Sequence, residues 1–113
     1  MSAAFGVLVG ATLEAVTFGM DYVQLQFHAA QLSAYTLPKV ELAGRCWTVQ
    51  DDGWREALCA RIGVVVRNAS RSDQRFQIGF EDGASIGISL MSGDYRGPEA
   101  FMLSVPGQIL IVE

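Results

Sequence analysis

Apolar and polar residues alternate strictly in two separate segments of the chain, residues 22–28 and 75–81. The apolar positions are Val23, Leu25 and Phe27 in the first segment and Phe76, Ile78 and Phe80 in the second. A two-residue period places every second side chain on the same face of a β-strand. Each segment is therefore predicted to form a strand with one apolar and one mainly polar face.

These two strands belong to a longer pattern that occurs twice. The copies begin at Val9-Gly10 and Ile62-Gly63, and the same offset of 53 residues relates the two alternating segments. The turn Glu81-Asp82-Gly83 is one residue longer than its counterpart, so the offset becomes 54 and aligns Leu32 with Ile86. Asp-Gly in that turn also indicates a β-hairpin. The repeat predicts a three-strand meander in each half.

The alignment continues through insertions in predicted loops. Tyr35–Pro38 matches Tyr95–Pro98 at an offset of 60, and Cys46–Val49 matches Ile109–Val112 more weakly at 63. Each copy is therefore expected to continue from its meander into an irregular, proline-containing crossover and one short closing strand.

A short helix is predicted between the two copies. Asp51 and Asp52 offer an N-cap and negative charge at the positive end of the helix dipole. Trp54, Leu58 and Ile62 then recur on one helical face, and we interpret Trp54 as a core anchor in preference to a ligand-stacking platform.

Together these elements predict a mainly β fold of the α+β class. Two pseudo-repeats of a β-meander are joined by one helix and packed as a sandwich or a partly open barrel. Residues 1–113 are expected to form a single domain. We place pseudo-repeat one at about 9–50, the linking helix at about 52–62 and pseudo-repeat two at about 62–113.

Composition and charge exclude two classes of protein. Half of the residues are apolar, 18% are charged and the mean hydropathy is +0.27, which is unlike a disordered chain. A net charge of −4 repels a phosphate backbone, so no nucleic-acid partner is expected. The arginines concentrate in mid-chain, at Arg45, Arg55, Arg61, Arg67, Arg71 and Arg75. We interpret them as surface ion-pair partners, with a carboxylate- or phosphate-binding patch as the alternative.

Neither a membrane anchor nor an export signal is expected. The uncharged stretch at residues 2–13 is shorter than the roughly 20 residues of a membrane span, and no basic residue precedes it. We therefore expect a cytoplasmic protein. Cys46 and Cys59 are too few for a disulfide framework and lack the spacing of a zinc site, so both are predicted to be buried thiols.

The sequence contains no recognisable catalytic constellation. His28 is the only histidine, and its place on the polar face of a strand favours a solvated role over that of a general base. No glycine-rich phosphate loop or cluster of metal ligands is apparent, so we expect no cofactor and no metal. An enzyme is accordingly the least favoured functional class.

The crossover from Ser92 to Phe101 has the highest density of polar side chains. The candidate ligand-binding residues are Tyr35, Tyr95, Arg96 and Glu99, in a pocket between the copies. A tight Gly-Pro turn also explains this composition, and that structural interpretation is the favoured one.

The unbroken apolar run Ile109, Leu110, Ile111 and Val112 is the candidate interface. A half-apolar chain of this length is expected to bury apolar surface against another chain, and a free apolar edge strand is an aggregation hazard. We therefore predict a homodimer that joins at this run. The alternative is a central strand with both faces covered.

Three motifs in the second copy, Phe80–Gly83, Ile86–Leu90 and Tyr95–Phe101, carry a family resemblance. Together they resemble small uncharacterised bacterial proteins with an F-x-D-G…I-x-L…Y-R-G-P-E-A segment. The resemblance covers mainly residues 62–101, with a fainter echo at 9–38 that lacks the Asp-Gly turn. It implies a β-rich fold and an origin in mobile gene cassettes, and it brings no known activity and no functional residues.

The function favoured by the sequence is a small oligomeric binding module for a small molecule or a protein partner. The alternative is an immunity or antitoxin-like inhibitor, whose acidic surface would mask a basic toxin.

Overall fold

The computed structural model describes residues 3–113, which form two five-stranded antiparallel sheets packed as a sandwich. Met1 and Ser2, the latter at the start of the uncharged stretch, lie outside the described residues. The mainly β fold with two meanders and one connecting helix, predicted from the alternation and the repeat, is confirmed.

In spatial order, the first sheet consists of β1 (Leu13–Phe18), β2 (Val23–Phe27), β3 (Ala30–Ala34), β9 (Phe101–Val105) and β10 (Gln108–Val112). The second sheet consists of β5 (Arg45–Trp47), β4 (Lys39–Leu42), β8 (Ser85–Ser89), β7 (Arg75–Phe80) and β6 (Val66–Arg71). The helices are α1 (Trp54–Cys59) and two 3₁₀ turns, Ala3–Val7 and Ser92–Asp94.

The two repeats exchange their C-terminal hairpins. Strands β1 to β3 form the first meander, and the chain then crosses to the second sheet for β4 and β5. Strands β6 to β8 form the second meander, and the chain crosses back for β9 and β10. Each sheet is therefore three strands of one repeat completed by two strands of the other.

The register of the strands repeats as well as their order. In the first meander Leu13 pairs with Phe27, and a bulge follows before Ala15. In the second, 53 residues later, Val66 pairs with Phe80, and the same bulge follows before Asn68. A bulge at equivalent positions in both β-ladders supports a true structural repeat.

The two sheets are tied together where β1 and β6 begin. Thr12 and Val65 form an isolated antiparallel bridge, and Leu13 and Val66 take part in backbone hydrogen bonds on either side of it. The Gly63 N–H donates to the Leu13 carbonyl at 2.8 Å, and the Gly10 N–H donates to the Val66 carbonyl at the same distance. Both glycines have positive φ, which explains why the two copies begin with this residue type.

The core lies between the sheets and draws on both repeats. Every apolar position of the two alternating segments is buried, as predicted. Phe76 stacks on Phe101 with ring centroids 4.7 Å apart, which places a meander residue of the second sheet against the exchanged hairpin in the first. Their burial removes large aromatic surfaces from water and holds the sheets together.

The connecting helix is shorter than predicted. It spans Trp54–Cys59, and Gly53, with φ 90°, stands at the N-cap in place of an aspartate. The Asp51 carboxylate instead accepts hydrogen bonds from the Thr48 N–H and hydroxyl, which lower its pKa. Trp54 and Leu58 are buried, but the prediction for Ile62 is wrong: the helix has ended before it, and the side chain is exposed.

Two further expectations are corrected by local structure. Each copy ends in a two-strand hairpin where one closing strand was predicted, because Ala43-Gly44 and Pro106-Gly107 form tight turns with positive φ at Ala43, Gly44 and Gly107. Cys46 and Cys59 are exposed, so the prediction of buried thiols is wrong. Cys46 lies opposite Glu41 on an edge strand, on the face that points away from the core.

Within residues 3–113, no helix is long and apolar enough to cross a membrane.

The repeat makes a testable prediction about the two meander turns, where Ala29 and Gly83 are equivalent and have φ of 64° and 91°. Left-handed backbone costs a residue with a side chain about 1 kcal/mol. Ala29→Gly should therefore raise the free energy of unfolding by about 0.5–1 kcal/mol, and Gly83→Ala should lower it by about as much. Urea denaturation measures both. Gly87→Ala is the control, since Gly87 has no positive φ and has open space around it. A lower free energy of unfolding for Ala29→Gly would contradict the equivalence of the two turns.

Candidate functional site

Three of the four candidate ligand-binding residues line one cleft. Tyr35, directly after β3, lies beside Arg96 and Glu99 of the second crossover in a cavity of about 310 Å³, which Asp21 also lines. The backbone N–H groups of Tyr35 and Thr36 both donate to the Ala100 carbonyl, at 2.8 and 3.0 Å. These bonds hold the crossover next to β3 and so bring together residues about sixty positions apart in the chain.

The cleft is open and contains both signs of charge. An Arg96 guanidinium nitrogen lies 3.8 Å from an Asp21 carboxylate oxygen, and both side chains are at least half exposed. Tyr95, the fourth candidate, does not line this cleft and packs instead against the hydrophobic core. The cleft can therefore offer a ligand one cation, two carboxylates and the Tyr35 ring.

The candidate interface run forms β10, an edge strand. In the described part of the chain β10 pairs only with β9, so the alternative of a central strand with both faces covered is wrong. Ile111 packs against the core, whereas Ile109 is 59% exposed and Val112 48% exposed. Charged residues, short length or bulges normally protect such an edge. Strand β10 is five residues long and uncharged, and its one protective feature is a bulge at Leu110. Strand β5, the equivalent edge of the second sheet, has only three residues and one of them is Arg45.

The outer face of the first sheet has no charged side chain in its two cross-strand rows. One row is Ala15, Gln26, Gln31, Ser104 and Ile109, and the other is Thr17, Gln24, Ser33, Met102 and Val112. Both rows end on the exposed apolar residues of β10. The outer face of the second sheet differs, since Arg75 and Glu41 form an ion pair there. Glu14, at the bulge of β1, borders the first row beside Gln26 and Gln31, so the uncharged area consists of the two rows themselves. Depletion of charge over such an area is typical of the centre of a protein interface.

A second polar site lies where the two repeats differ. Arg61 follows α1, and its side chain is only 7% exposed. The same offset of 53 residues, extended to one position before the copies begin, relates Arg61 to Leu8, which is fully buried. Arg61 donates a hydrogen bond to the Asp82 carboxylate, in the turn that is one residue longer than its counterpart. The second repeat thus combines a buried cation with a longer turn that supplies its partner.

The Arg61 guanidinium is only partly satisfied. Its Nε–H is buried and has no hydrogen-bond partner among the described residues, where the Thr36 hydroxyl is the other buried side-chain group in this condition. Buried polar groups are almost always paired, because an unpaired one has lost its water without replacement. The Arg61 Nε–H is therefore an unpaired donor inside the fold.

A cavity of about 410 Å³ adjoins Arg61, between α1 and the β4–β5 hairpin. Its apolar lining is Val40, Leu42, Trp47, Ala57 and Ala60. The Arg45 guanidinium carbon lies over the Trp47 ring, 4.7 Å from its centroid. The cavity therefore has an aromatic wall that is held by a cation–π contact.

The repeat alignment contained the signal for this site, although sequence reasoning missed it. Extending the alignment by one residue toward the N-terminus pairs Leu8 with Arg61 and places a charge at an apolar position. The extra residue in the Glu81–Gly83 turn then indicates where a partner for this charge lies. The interpretation of the mid-chain arginines as surface ion-pair partners holds for Arg71 and Arg75, whereas Arg61 is paired but buried. His28 is exposed and lies 3.3 Å from the Glu14 carboxylate, and no cluster of three metal-ligating side chains occurs in residues 3–113.

No family model matches the chain, and comparisons with curated proteins and with solved structures find no significant match.

The environment of Asp82 makes its contribution to stability depend on pH. Burial by itself would raise the pKa of this carboxyl, but the Ala84 N–H and the Arg61 guanidinium outweigh burial and lower it. A lowered pKa in the folded state means that the stabilisation is complete above the unfolded value of about 4. It is lost as the pH falls through the folded-state pKa.

Asp82→Ala is expected to lower the free energy of unfolding at neutral pH by about 2–3 kcal/mol, because it leaves the Arg61 charge buried without a carboxylate. Arg61→Leu combined with Asp82→Ala should recover most of that loss, because Leu8 already occupies the equivalent position. Urea denaturation of both variants between pH 7 and pH 3 checks this, and the Asp82→Ala penalty should shrink in acid. A double variant as unstable as Asp82→Ala alone would contradict the coupling.

Proposed function

We propose that the protein is a homodimeric binding module in which two copies join through β10. The observation that carries this proposal is the open edge of β10, whose unpaired backbone is flanked by the exposed side chains of Ile109 and Val112. Antiparallel pairing of β10 with its copy would continue the first sheet from one subunit into the next. It would satisfy the free backbone groups and bring both apolar side chains out of water.

Charge favours a second copy as the occupant of this edge. The chain has a net charge of −4, so most surfaces would repel themselves on self-association. Both rows of the outer face that end at β10 are uncharged. The Glu113 carboxylate, directly after β10, is paired with Arg71 at 2.8 Å. Like charges would therefore not meet across a twofold axis at this strand.

The ligand site of this module is the cleft of Tyr35, Arg96 and Glu99. Its support is the convergence of these residues with Asp21 on one cavity, which the hydrogen bonds to Ala100 fix in place. One cation and two carboxylates around an aromatic ring suit a small ligand that carries groups of both charges. A protein partner bound at this cleft would also be detected, as a larger added mass, by the experiment described next.

Native mass spectrometry of the protein purified from its own host tests both parts together. The wild type should be a dimer with a reproducible small added mass. Ile109→Lys with Val112→Lys should give the monomer, since four apolar side chains leave the interface, and about 1 kcal/mol for each weakens association roughly a thousandfold. Arg96→Ala should remain a dimer and lose the added mass.

Val49→Lys with Met91→Lys is the matched control, because it adds the same charges at exposed apolar positions outside β10 and the outer rows. This control should remain a dimer. A monomeric wild type would overturn the proposed dimer, and an added mass that persists in Arg96→Ala would overturn the proposed ligand site.

A further inference from the structure

A third cavity lies on the outer face of the second sheet. Its volume of about 390 Å³ is within the range of small-molecule sites, about 300–1,000 Å³. We name it the outer cavity, and its central residues are Lys39 and Glu41 of β4, Arg75 of β7, and Gly87 and Ser89 of β8. It shares no lining residue with the cleft of Tyr35 and Arg96, and no residue of β10 lines it. Its occupation therefore depends neither on the proposed dimer nor on the proposed ligand site.

Gly87 forms the floor of the outer cavity, in the middle of the central strand of the second sheet. Its φ is not positive, and a Cβ on it would meet nothing within 4 Å. Gly79, on the same face, differs, because a Cβ there would lie 2.5 Å from the Asn68 side-chain oxygen. Glycine weakens the interior of a strand, and it often marks a place where a ligand approaches the backbone. The unfilled space over Gly87 therefore indicates room for a ligand.

Two side chains of opposite charge meet over this open floor. Arg75 pairs with Ser89 from one side of β8, and Glu41 pairs with Ser85 from the other. Gly87 lies midway between Ser85 and Ser89, so the contact between Arg75 and Glu41 spans it. The guanidinium nitrogen and the carboxylate oxygen are 3.7 Å apart, which is too far for a hydrogen bond. This contact therefore uses no hydrogen bond of either group.

The charged groups of the outer cavity are accessible to a ligand. The Arg75 side chain is 54% exposed and that of Glu41 49%. Lys39, two residues before Glu41 on the same face of β4, takes part in no ion pair among residues 3–113. Asp94 is the other carboxylate of the lining, and it already accepts a hydrogen bond from the Ser89 hydroxyl at 2.5 Å. The groups open to a ligand are therefore two cations and the Glu41 carboxylate.

These charges favour a ligand that carries both signs. The two cations and two carboxylates give the lining no net charge. A ligand carboxylate alone would meet the charge of Glu41, and a ligand ammonium alone would meet Lys39 and Arg75. A zwitterion avoids both repulsions, because each of its ends finds a partner. Met91 is the one apolar side chain of the lining, so the ligand carries little apolar surface.

We propose that the outer cavity binds a small zwitterion of the amino-acid type, with a short side chain, which inserts between Arg75 and Glu41 over Gly87. The ligand carboxylate accepts hydrogen bonds from the Arg75 guanidinium, near the positive charge of Lys39, and the ligand ammonium donates to Glu41. Because Arg75 and Glu41 are about half exposed, each contact contributes little, and the affinity is in the millimolar range. A ligand held this weakly is lost on purification and adds no mass in native mass spectrometry.

Three probes of similar length test the proposal: β-alanine, which carries both charges, propionate, which carries only the carboxylate, and propylamine, which carries only the ammonium. Each is titrated at neutral pH and constant ionic strength into ¹⁵N-labelled protein, and the backbone amide resonances are followed. β-Alanine should shift Gly87 and Ser89 with saturation. It should bind about fivefold more tightly than either of the other probes, because each of these lacks one ion pair.

Arg75→Gln and Glu41→Gln separate the two ends of the ligand. Arg75→Gln should weaken the binding of β-alanine and of propionate. Glu41→Gln should reduce the preference for β-alanine over propionate, because the partner of the ammonium and the charge that repels the carboxylate are both gone. Arg67→Gln is the matched control, since Arg67 is exposed on β6 and does not line the outer cavity. It should bind all three probes as the wild type does.

Gly87→Val fills the floor of the outer cavity. Valine is favoured in strands, so this variant should be at least as stable in urea as the wild type. It should bind β-alanine about tenfold more weakly, because its side chain occupies the space of the ligand. Ser70→Val is the control, since Ser70 pairs with Gln77 on the same face but lies outside the cavity.

Equal wild-type affinity for β-alanine and propionate would overturn the proposal, as would unchanged binding of β-alanine to Gly87→Val. Shifts at Tyr35 and Gly97 in place of Gly87 and Ser89 would assign the binding to the other cleft and would also overturn it. The wild-type titration gives this answer even if a variant does not fold.

Discussion

Exchange of hairpins between the two repeats is the constraint on which the rest of the structure depends. Strand β9 pairs with β3 through four residue pairs, and β4 pairs with β8 through three. These ladders relate equivalent residues: Leu103 lies opposite Leu32, and Val40 lies opposite Ile86. A three-stranded meander alone would leave the outer edge of its third strand unpaired and its apolar face uncovered. Each repeat therefore supplies what the other lacks, and the core forms only when both crossovers have been made.

Departures from the repeat coincide with the chemistry of the molecule. A symmetric duplication would place Leu8 and its equivalent in the core and end both meander turns in the same way. In the second copy the equivalent is Arg61, and a longer turn supplies Asp82 to it. The second crossover is also longer than the first and supplies Arg96 and Glu99 to the cleft at Tyr35. The third departure is β10, which lacks the charge and the short length of its counterpart β5. The repeated parts build the sandwich, and the parts that differ supply the two cavities and the open edge.

Much of the fold was predictable because it depends on local patterns. Alternation at Val23–Phe27 and Phe76–Phe80 identifies the central strands and their buried faces, and the offsets of 53 and 54 match the observed registers. Local patterns did not predict four other features: the length of the helix, the exposure of Ile62, the exposure of both cysteines and the burial of Arg61. They depend on which surfaces the crossovers bring together, and a single pattern of apolar residues does not contain that information. The convergence of Tyr35, Arg96 and Glu99 followed from placing both crossovers between the copies, whereas Tyr95 packs inward because its ring is better buried than solvated.

The most direct test of this account is native-state amide hydrogen exchange in β2 and β7, the middle strands of the two meanders, for the wild type and for Leu103→Ala. Leu103 is fully buried in β9, a strand of the second repeat that belongs to the first sheet. Its truncation should cost about 2–5 kcal/mol. If the exchanged hairpins make one cooperative unit, the most protected amides of β2 and β7 will open with the same free energy in the wild type, and Leu103→Ala will lower both by the same amount. A loss of protection confined to β2, with β7 unchanged, would show that the sheets open independently and would contradict the account.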